Sequence, residues 1–305
     1  MKNAAIGQHL FSGALSGFAG AVLLQPLDLL KTRIQQGDGT PGSRNATVIW
    51  NTTRDIVRQD GVKGLWRGTT ATLMRNVPGV ALYMTSLTHL RAIMAKSPYF
   101  AVQDVRESKD GIKTVLPKLS TQGNLIAGAS ARVAIGLLLN PFSLVKARFE
   151  SELYSYKSLT GSLMSVVRMG PSELMRGFVA SSLRDAPYAG LFVVVYEGLK
   201  REATFLAPNV YATTIHSVSA ASAGAIATMA THPFDVIKTK MQVRSEERFR
   251  GFISTAQRIW QQRGVVGFFD GASLRMSRKI LSSVIGWAVF EGVLLLIHKS
   301  NQEGG

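Results

Sequence analysis

A six-residue pattern that occurs three times most constrains what this chain can fold into. Each copy has a proline, then an acidic or hydroxyl side chain two positions later, then a lysine five positions after the proline, at 26–31, 141–146 and 233–238. Each copy also closes a long apolar run. A proline inside a helix removes a backbone hydrogen bond and kinks the helix. The pattern therefore predicts three units of roughly a hundred residues, each built around one bent helix.

The three predicted units repeat one order of elements. First comes a bent apolar helix long enough to cross a bilayer, at 10–35, 120–149 and 213–242. A short amphipathic helix follows at 45–59, 157–169 and 250–263, and then a second hydrophobic helix at 69–91, 178–200 and 272–297. The sequence thus predicts an all-α membrane protein with six transmembrane helices, as three tandem repeats bounded at 1–97, 98–206 and 207–305.

Composition and motifs narrow the function classes. A net charge of +16 at pH 7 suggests an anionic partner, such as nucleic acid, an anionic membrane surface or acidic solutes. A basic nucleic-acid-binding protein would explain the charge but not six membrane-length helices, so no nucleic acid is expected. The chain has no phosphate loop, no dinucleotide fingerprint and no His/Asp/Ser constellation, so it is not expected to be an enzyme. It has no cysteine, and its five histidines are scattered, so neither a metal site nor a cofactor is expected.

Three arginines hold equivalent places in the second hydrophobic helices. Arg75, Arg184 and Arg278 each lie seven positions after a glycine that leads into such a helix. Arginines at one depth in three helices are costly in hydrocarbon, so they should face a shared aqueous space. That placement argues for a transporter over the alternative of a non-transporting membrane scaffold.

The threefold signature P-x-[DE]-x-x-[KR], in a plan that covers nearly the entire chain, resembles the mitochondrial carrier family. The resemblance implies a six-helix barrel with pseudo-threefold symmetry in the mitochondrial inner membrane. Such carriers act as monomers that alternate between cytosol-open and matrix-open states. The basic segments after the bent helices fit the matrix side under the positive-inside rule, where an anionic lipid such as cardiolipin is an expected partner.

In the family, the acid of one signature pairs with the base of the next and closes the matrix side. Carried over, this implies the pairs Asp28 with Lys146 and Asp235 with Lys31. Lys238 would meet Ser143, where the family has an acid, so the third ion pair is missing. The family also places a bracing glutamine after each signature; Gln35 and Gln242 match it, and the middle copy has Glu150.

The cytosolic gate of the family is the motif [FY]-[DE]-x-x-[KR]. It is intact here only at 196–200, which contains Glu197 and Lys200. In the other two copies only Arg91 and Glu291 remain, and these two alone can pair around the ring. We therefore expect a weak cytosolic gate and an unloaded carrier that rests open to the cytosol.

The family binds its substrate on the second helix of each repeat. The corresponding residues are Arg75 with Asn76, Arg184 with Asp185, and Arg278 with Lys279. An adjacent arginine and aspartate suit a zwitterion, since the guanidinium grips a carboxylate and the aspartate takes an ammonium. Alternatively, Arg184 and Asp185 neutralise each other. An arginine–acid pair at this position resembles the amino-acid branch of the family.

Four longer stretches, 25–33, 77–80, 148–156 and 183–188, resemble the glycine-transporting members of the family. This implies import of glycine for haem synthesis, with another small amino acid or a short oxo-acid as the alternative cargo. Gly79 and nearby small residues either fit this two-carbon cargo or pack helices together. Arg132 stands where the other two repeats have glycine, as a further cavity charge or as the partner of an acid such as Asp185.

Overall fold

A computed structural model of the chain describes residues 15, 17–37, 45–100, 119–154, 156, 158–206 and 211–303. Within these ranges the regular structure is helical, as predicted for an all-α protein. We number the helices in chain order: α1 17–23, α2 Gln25–Gln36, α3 Asn45–Asp60, α4 Thr69–Met94, α5 Thr121–Leu138, α6 Asn140–Glu150, α7 Leu159–Arg168, α8 Pro171–Leu174, α9 Phe178–Leu206, α10 Ala212–Ala230, α11 His232–Val243, α12 Phe252–Arg263 and α13 Ala272–Glu303.

The three bent helices break at one equivalent place. The helical path is interrupted at Leu24, Leu139 and Thr231, each two residues before a repeated proline. The proline then lies in the first turn of the following helix, where its missing N–H costs no intrahelical bond. The halves of the middle pair, α5 and α6, are bent by 66°. The predicted break is therefore found at all three copies, and the predicted bend is confirmed for the middle one.

The chain divides into two compact units that do not follow the three repeats. Unit 1 contains Met1–Val77, Pro141–Gly177 and Val236–Gly305, and unit 2 contains Pro78–Asn140 and Phe178–Asp235. Each unit takes segments from all three repeats. Unit 1 holds the signature helix α2, most of α6 and α11, and the short amphipathic helices, whereas unit 2 holds α5, α9, α10 and the end of α4.

The core of unit 1 repeats one contact. Leu29 and Leu30 of α2 pack with Ile56 of the short helix α3 and with Leu274. Leu144 and Val145, at the same distance after their proline, pack with Val166 of α7. The third copy has the same positions buried, at Val236, Ile237 and Ile259. The first two signature helices thus turn their apolar faces to the amphipathic helices that follow them, and the third has the equivalent positions buried.

Unit 2 is built on small residues and one aromatic row. Ala127 and Ala131 of α5, and Ala223 and Ala227 of α10, are fully buried pairs one turn apart. Small side chains at this spacing let helices approach closely. Along α9, the rings at 188, 192 and 196 stack one turn apart, with centroids separated by 6.4 and 6.0 Å.

Length and apolarity alone identify few spans among the described residues. The stretch Pro171–Leu206 qualifies as one span, and the bent pair formed by Gln122–Leu138 and Asn140–Glu150 qualifies when its halves are taken together. Polar residues interrupt the apolar runs of the other long helices: α4 contains two arginines, and α10 has no charged residue but carries a histidine and several serines and threonines.

Candidate functional site

In unit 1, Asp28 is the centre of a charged cluster. It lies in the first turn of α2 and is almost fully buried. Lys146 Nζ lies 2.8 Å from its Oδ2, and Arg278 Nε pairs with its Oδ1. The structure thus brings together the Asp28–Lys146 pair that the family resemblance implied. Arg278, expected at the substrate site, joins the same carboxylate.

Arg75 has a different partner in unit 1. Its Nε donates a hydrogen bond of 2.6 Å to the Oγ of Ser143, the position where the signature lacks its acid. A weaker contact of 3.5 Å joins Arg75 to Asn76. Ser143 therefore accepts a hydrogen bond from an arginine of the preceding repeat, although the serine side chain is uncharged.

Arg184, in unit 2, is bound by two carboxylates. Its Nε and Nη2 lie 2.7 and 2.9 Å from the two oxygens of Asp185, and its Nη1 lies 2.9 Å from Asp235 Oδ1. Asp235 is fully buried, and Asp185 is one-third exposed. In this structure Arg184 and Asp185 therefore do neutralise each other.

Together these contacts form a regular pattern that the sequence did not predict. Each arginine contacts the residue two positions after the signature proline of the next repeat, with the first repeat counted as following the third. Arg75 contacts Ser143, Arg184 contacts Asp235, and Arg278 contacts Asp28. The signal was present in the sequence, because the arginines share one register and so do the signature positions. It could not be read without knowing which helices are neighbours.

The bracing glutamines donate to backbone carbonyls within unit 1. Gln35 Nε2 donates to Asp270 O at 3.2 Å, and its Oε1 accepts from Thr239 Oγ1 at 2.7 Å. Gln242 Nε2 contacts Arg176 O at 3.5 Å. Each carbonyl belongs to the residue just before a glycine that leads into a second helix. The braces therefore hold the ends of these turns.

Glu150 occupies the third brace position and is buried in unit 1. Its Oε2 accepts from Thr32 Oγ1 at 2.8 Å, and its Oε1 accepts from Gln25 Nε2 at 3.1 Å. Lys146 Nζ lies 3.5 Å from the same Oε1. The sequence predicts no separate role for Gln25, because this residue precedes the signature proline and carries no charge.

Lys31 and Lys238 complete the predicted matrix gate. Lys31 belongs to unit 1 and Asp235 to unit 2, so the predicted pair between them stays a prediction. Lys238 is buried on α11. The functional role of the whole gate also stays a prediction.

On the predicted cytosolic side, Lys200 pairs within its own helix. Its Nζ lies 2.9 Å from Glu197 Oε2, three residues earlier, and 5.4 Å from the centre of the Tyr196 ring. Arg91 Nε is buried, with no hydrogen-bond partner among the described residues. The side chain of Glu291 lies outside the described residues, so its pairing with Arg91 stays a prediction.

The remaining predicted substrate residues have distinct surroundings. A Cβ added to Gly79 would lie 3.0 Å from Leu139 Cδ1, which favours the packing role for this glycine. The guanidinium carbon of Arg132 lies 5.0 Å from the centre of the Tyr83 ring, a cation–π contact within unit 2. Lys279 is exposed on α13.

Comparison with known proteins assigns this architecture to a family. A family model described as "Mitochondrial carrier protein" matches three successive segments, residues 2–98, 117–205 and 210–301. The chain belongs to the mitochondrial carrier family. A protein of Laccaria bicolor named "Mitochondrial glycine transporter" is 63% identical over 305 residues, covering 97% of this chain and 99% of the relative.

More distant relatives carry the same name. A "Mitochondrial glycine transporter" of Mycosarcoma maydis is 38% identical, covering 92% of this chain and 82% of the relative. Another, of Coccidioides immitis, is also 38% identical, covering 95% of this chain and 90% of the relative. As a mitochondrial carrier, the chain is an inner-membrane transport protein and not an enzyme.

Proposed function

We propose that this mitochondrial carrier imports glycine into the matrix, where glycine supplies haem synthesis, by alternating access. The proposal is supported by the name of the relative that is 63% identical over nearly the full length of both chains. Within the structure it is carried by one observation: Arg184 and Asp185 form an ion pair with two hydrogen bonds, of 2.7 and 2.9 Å.

This ion pair is suited to exchange with a zwitterion. A charge that is removed from water is costly unless it is paired. Glycine carries one carboxylate and one ammonium, so it can replace the Arg184–Asp185 contact with two contacts and leave neither side chain unpaired. A short oxo-acid would satisfy Arg184 but leave the carboxylate of Asp185 without its partner, which makes it the weaker alternative.

Binding at Arg184 also provides a route to the gate. The same guanidinium holds Asp235, the signature acid of the third repeat, at 2.9 Å. When a substrate carboxylate competes for Arg184, Asp235 is freed to pair with a signature base. In this scheme substrate binding and the rearrangement of the matrix gate share one guanidinium. Without substrate, Arg184 keeps Asp235, and the empty carrier changes conformation only rarely.

The proposed architecture is six spans, two from each repeat, around a central substrate path. Three successive family matches and three equivalent helix breaks support it. Contact with an anionic lipid such as cardiolipin and a monomeric state belong to the same proposal. A non-transporting scaffold is the alternative from another class, and uptake measurements separate the two.

The deciding experiment is uptake of labelled glycine into proteoliposomes that contain the purified chain. We expect uptake well above that of empty liposomes, and we expect Arg184→Ala or Asp185→Ala to lower the initial rate roughly thirtyfold or more, because each removes one of the two charges proposed to hold the zwitterion. A panel of other small amino acids and short oxo-acids run in parallel tests the cargo.

Arg201→Ala and Glu202→Ala are matched controls. They remove another adjacent arginine–acid pair from the same helix, 3.4 Å apart but exposed to solvent. Both variants should transport at the wild-type rate. If glycine enters no faster than into empty liposomes while another solute of the panel is transported, that solute replaces glycine as the proposed cargo. If no solute is transported, the scaffold alternative is favoured.

A further inference from the structure

The middle signature differs from the other two at two positions at once. Counting from the proline, the first and third copies have an acid at the second position and a glutamine at the ninth, Asp28 with Gln35 and Asp235 with Gln242. The middle copy has a hydroxyl at the second position and an acid at the ninth. All three copies keep lysine at the fifth. The carboxylate is therefore moved along the helix, and the formal charge of the three positions is unchanged.

Glu150 lies in the same place as the two glutamines. A Cβ added to Gly68 would lie 3.1 Å from Glu150 Cγ, just as a Cβ on Gly177 would lie 2.8 Å from Gln242 Cγ. The carbonyl beside this site is that of Arg67. An ionised carboxylate has no proton to donate, so Glu150 cannot make the bond that the glutamines make. Without a donor between them, two buried acceptors would face each other at high cost.

Gln25 supplies that donor. Its Nε2 donates to Arg67 O at 3.0 Å and contacts Glu150 Oε1 at 3.1 Å, so the amide group lies between the two acceptors. Its own carbonyl oxygen accepts from Thr72 Oγ1 at 2.9 Å. Gln25, Glu150 and Thr72 are all buried. Asn140 and His232 hold this position in the other repeats, so the long amide occurs only in the repeat whose carbonyl faces Glu150.

Glu150 also completes a line of alternating charges in unit 1. Arg278 pairs with Asp28, Asp28 pairs with Lys146 at 2.8 Å, and Lys146 lies 3.5 Å from Glu150. Asp28 alone would have to balance two cations. Glu150 gives Lys146 a second carboxylate, one turn further along the same helix.

We infer that Glu150 is a positioning residue of the matrix gate. It supplies the middle signature with the acid that is missing at Ser143. Gln25 takes over the bracing hydrogen bond to the Arg67 carbonyl that Glu150 cannot make. The gate part of this inference rests on the proposed transport function. The pairing of Gln25 with Glu150 does not depend on it.

The pairing is tested by thermal unfolding of the purified full chain and of Gln25→Ala, Glu150→Gln and the double variant. In the wild-type background Gln25→Ala removes the donor that Arg67 O and Glu150 Oε1 share, so that two buried acceptors face each other and the Tm should fall by roughly 4–8 °C. In the Glu150→Gln background the new amide can donate to Arg67 O, and the same change should cost less than half as much. The lost Thr72 contact and the cavity are common to both and cancel. Equal losses in the two backgrounds would overturn the pairing.

The gate role is tested by glycine uptake and by rescue. Glu150→Gln keeps a bracing amide but removes the charge, and we expect the initial rate to fall about tenfold, equivalent to the loss of one good charge contact. Adding Ser143→Asp, which gives the middle copy the pattern of the other two, should restore the rate to within about twofold of wild type. Position 143 is not at the brace site, so rescue there reports the charge and not local packing.

Glu247→Gln is the matched control, because it removes the same charge from a carboxylate that is 89% exposed. It should leave both Tm and uptake unchanged. The gate role would be overturned if Glu150→Gln transported glycine at the wild-type rate. It would also be overturned if the double variant with Ser143→Asp unfolded at the wild-type temperature but did not regain uptake. If the wild-type chain moves no glycine, the proposed cargo fails, the unfolding cycle still decides the pairing, and the uptake arm is run with the solute that the panel identifies.

Discussion

One glycine in each repeat is required for two independent physical reasons. Gly68, Gly177 and Gly271, which precede the second helices, have φ values of +91°, +75° and +74°, where residues with a side chain are strained. The brace side chain also passes directly over them. A Cβ would lie 3.1 Å from the nearest brace atom at Gly68, 2.8 Å at Gly177 and 3.6 Å at Gly271. Backbone conformation and close approach therefore select glycine together.

Substitution of these glycines by alanine should separate the two reasons. All three variants lose about 1–2 kcal/mol from the left-handed conformation. The clash with the brace adds to this loss, so the loss of Tm should be largest for Gly177→Ala, intermediate for Gly68→Ala and smallest for Gly271→Ala. Thermal unfolding of the three purified variants measures this order.

Gly198→Ala is the control for this series. Gly198 lies inside α9, and a Cβ there would meet no atom within 4 Å. Alanine in a helix interior is more favourable than glycine by up to about 1 kcal/mol, so this variant should be neutral or slightly stabilised. Three equal losses would mean that the brace yields and that backbone strain alone selects glycine.

At the scale of elements, each short amphipathic helix has one buried apolar residue. In α7 this residue is Val166, which is fully buried against Leu144 and Val145 of the signature helix. The neighbouring Val167 is 49% exposed. Two identical side chains, about 100° apart around one helix, thus lie on its buried and its exposed face, as an amphipathic pattern predicts.

Val166→Ala should therefore destabilise the protein, whereas Val167→Ala should not. Removing two buried methyl groups costs about 2 kcal/mol including the cavity that remains. The exposed valine gives up little on truncation, and alanine is the better helix former. The midpoint of thermal unfolding measures both variants, and equal effects would mean that α7 does not pack as described.

At the scale of the whole molecule, charge and apolarity make different predictions. A net charge of +16 alone would produce a peripheral protein that salt or high pH releases from an anionic surface. A six-span carrier is held by apolar burial, which neither treatment removes. We expect the chain to stay in the membrane pellet of isolated mitochondria after high-salt and alkaline carbonate washes, and to require detergent for extraction.

An outer-membrane marker, an inner-membrane marker and a peripheral matrix-side protein serve as controls in that fractionation. The chain should follow the inner-membrane marker. Release together with the peripheral protein would contradict the six-span architecture, whatever the cargo.

Much of the local structure could be predicted because its determinants are local. The prolines set the helix breaks at Leu24, Leu139 and Thr231, since a proline has no N–H with which to continue the hydrogen bonds of the preceding helix. Apolar spacing set the short helices to within about two residues of their observed ends. Family resemblance added the Asp28–Lys146 pair, which the structure contains.

The contacts between repeats depend on how the chain packs in three dimensions. The order of residues alone established that three arginines share one register and that the signature has a gap at Ser143. It did not establish that Arg75 reaches Ser143, or that Gln25 lies between Glu150 and the carbonyl of Arg67. Those contacts depend on which buried donors and acceptors folding brings within hydrogen-bond distance, because a buried polar group takes its partner from whatever segment lies beside it.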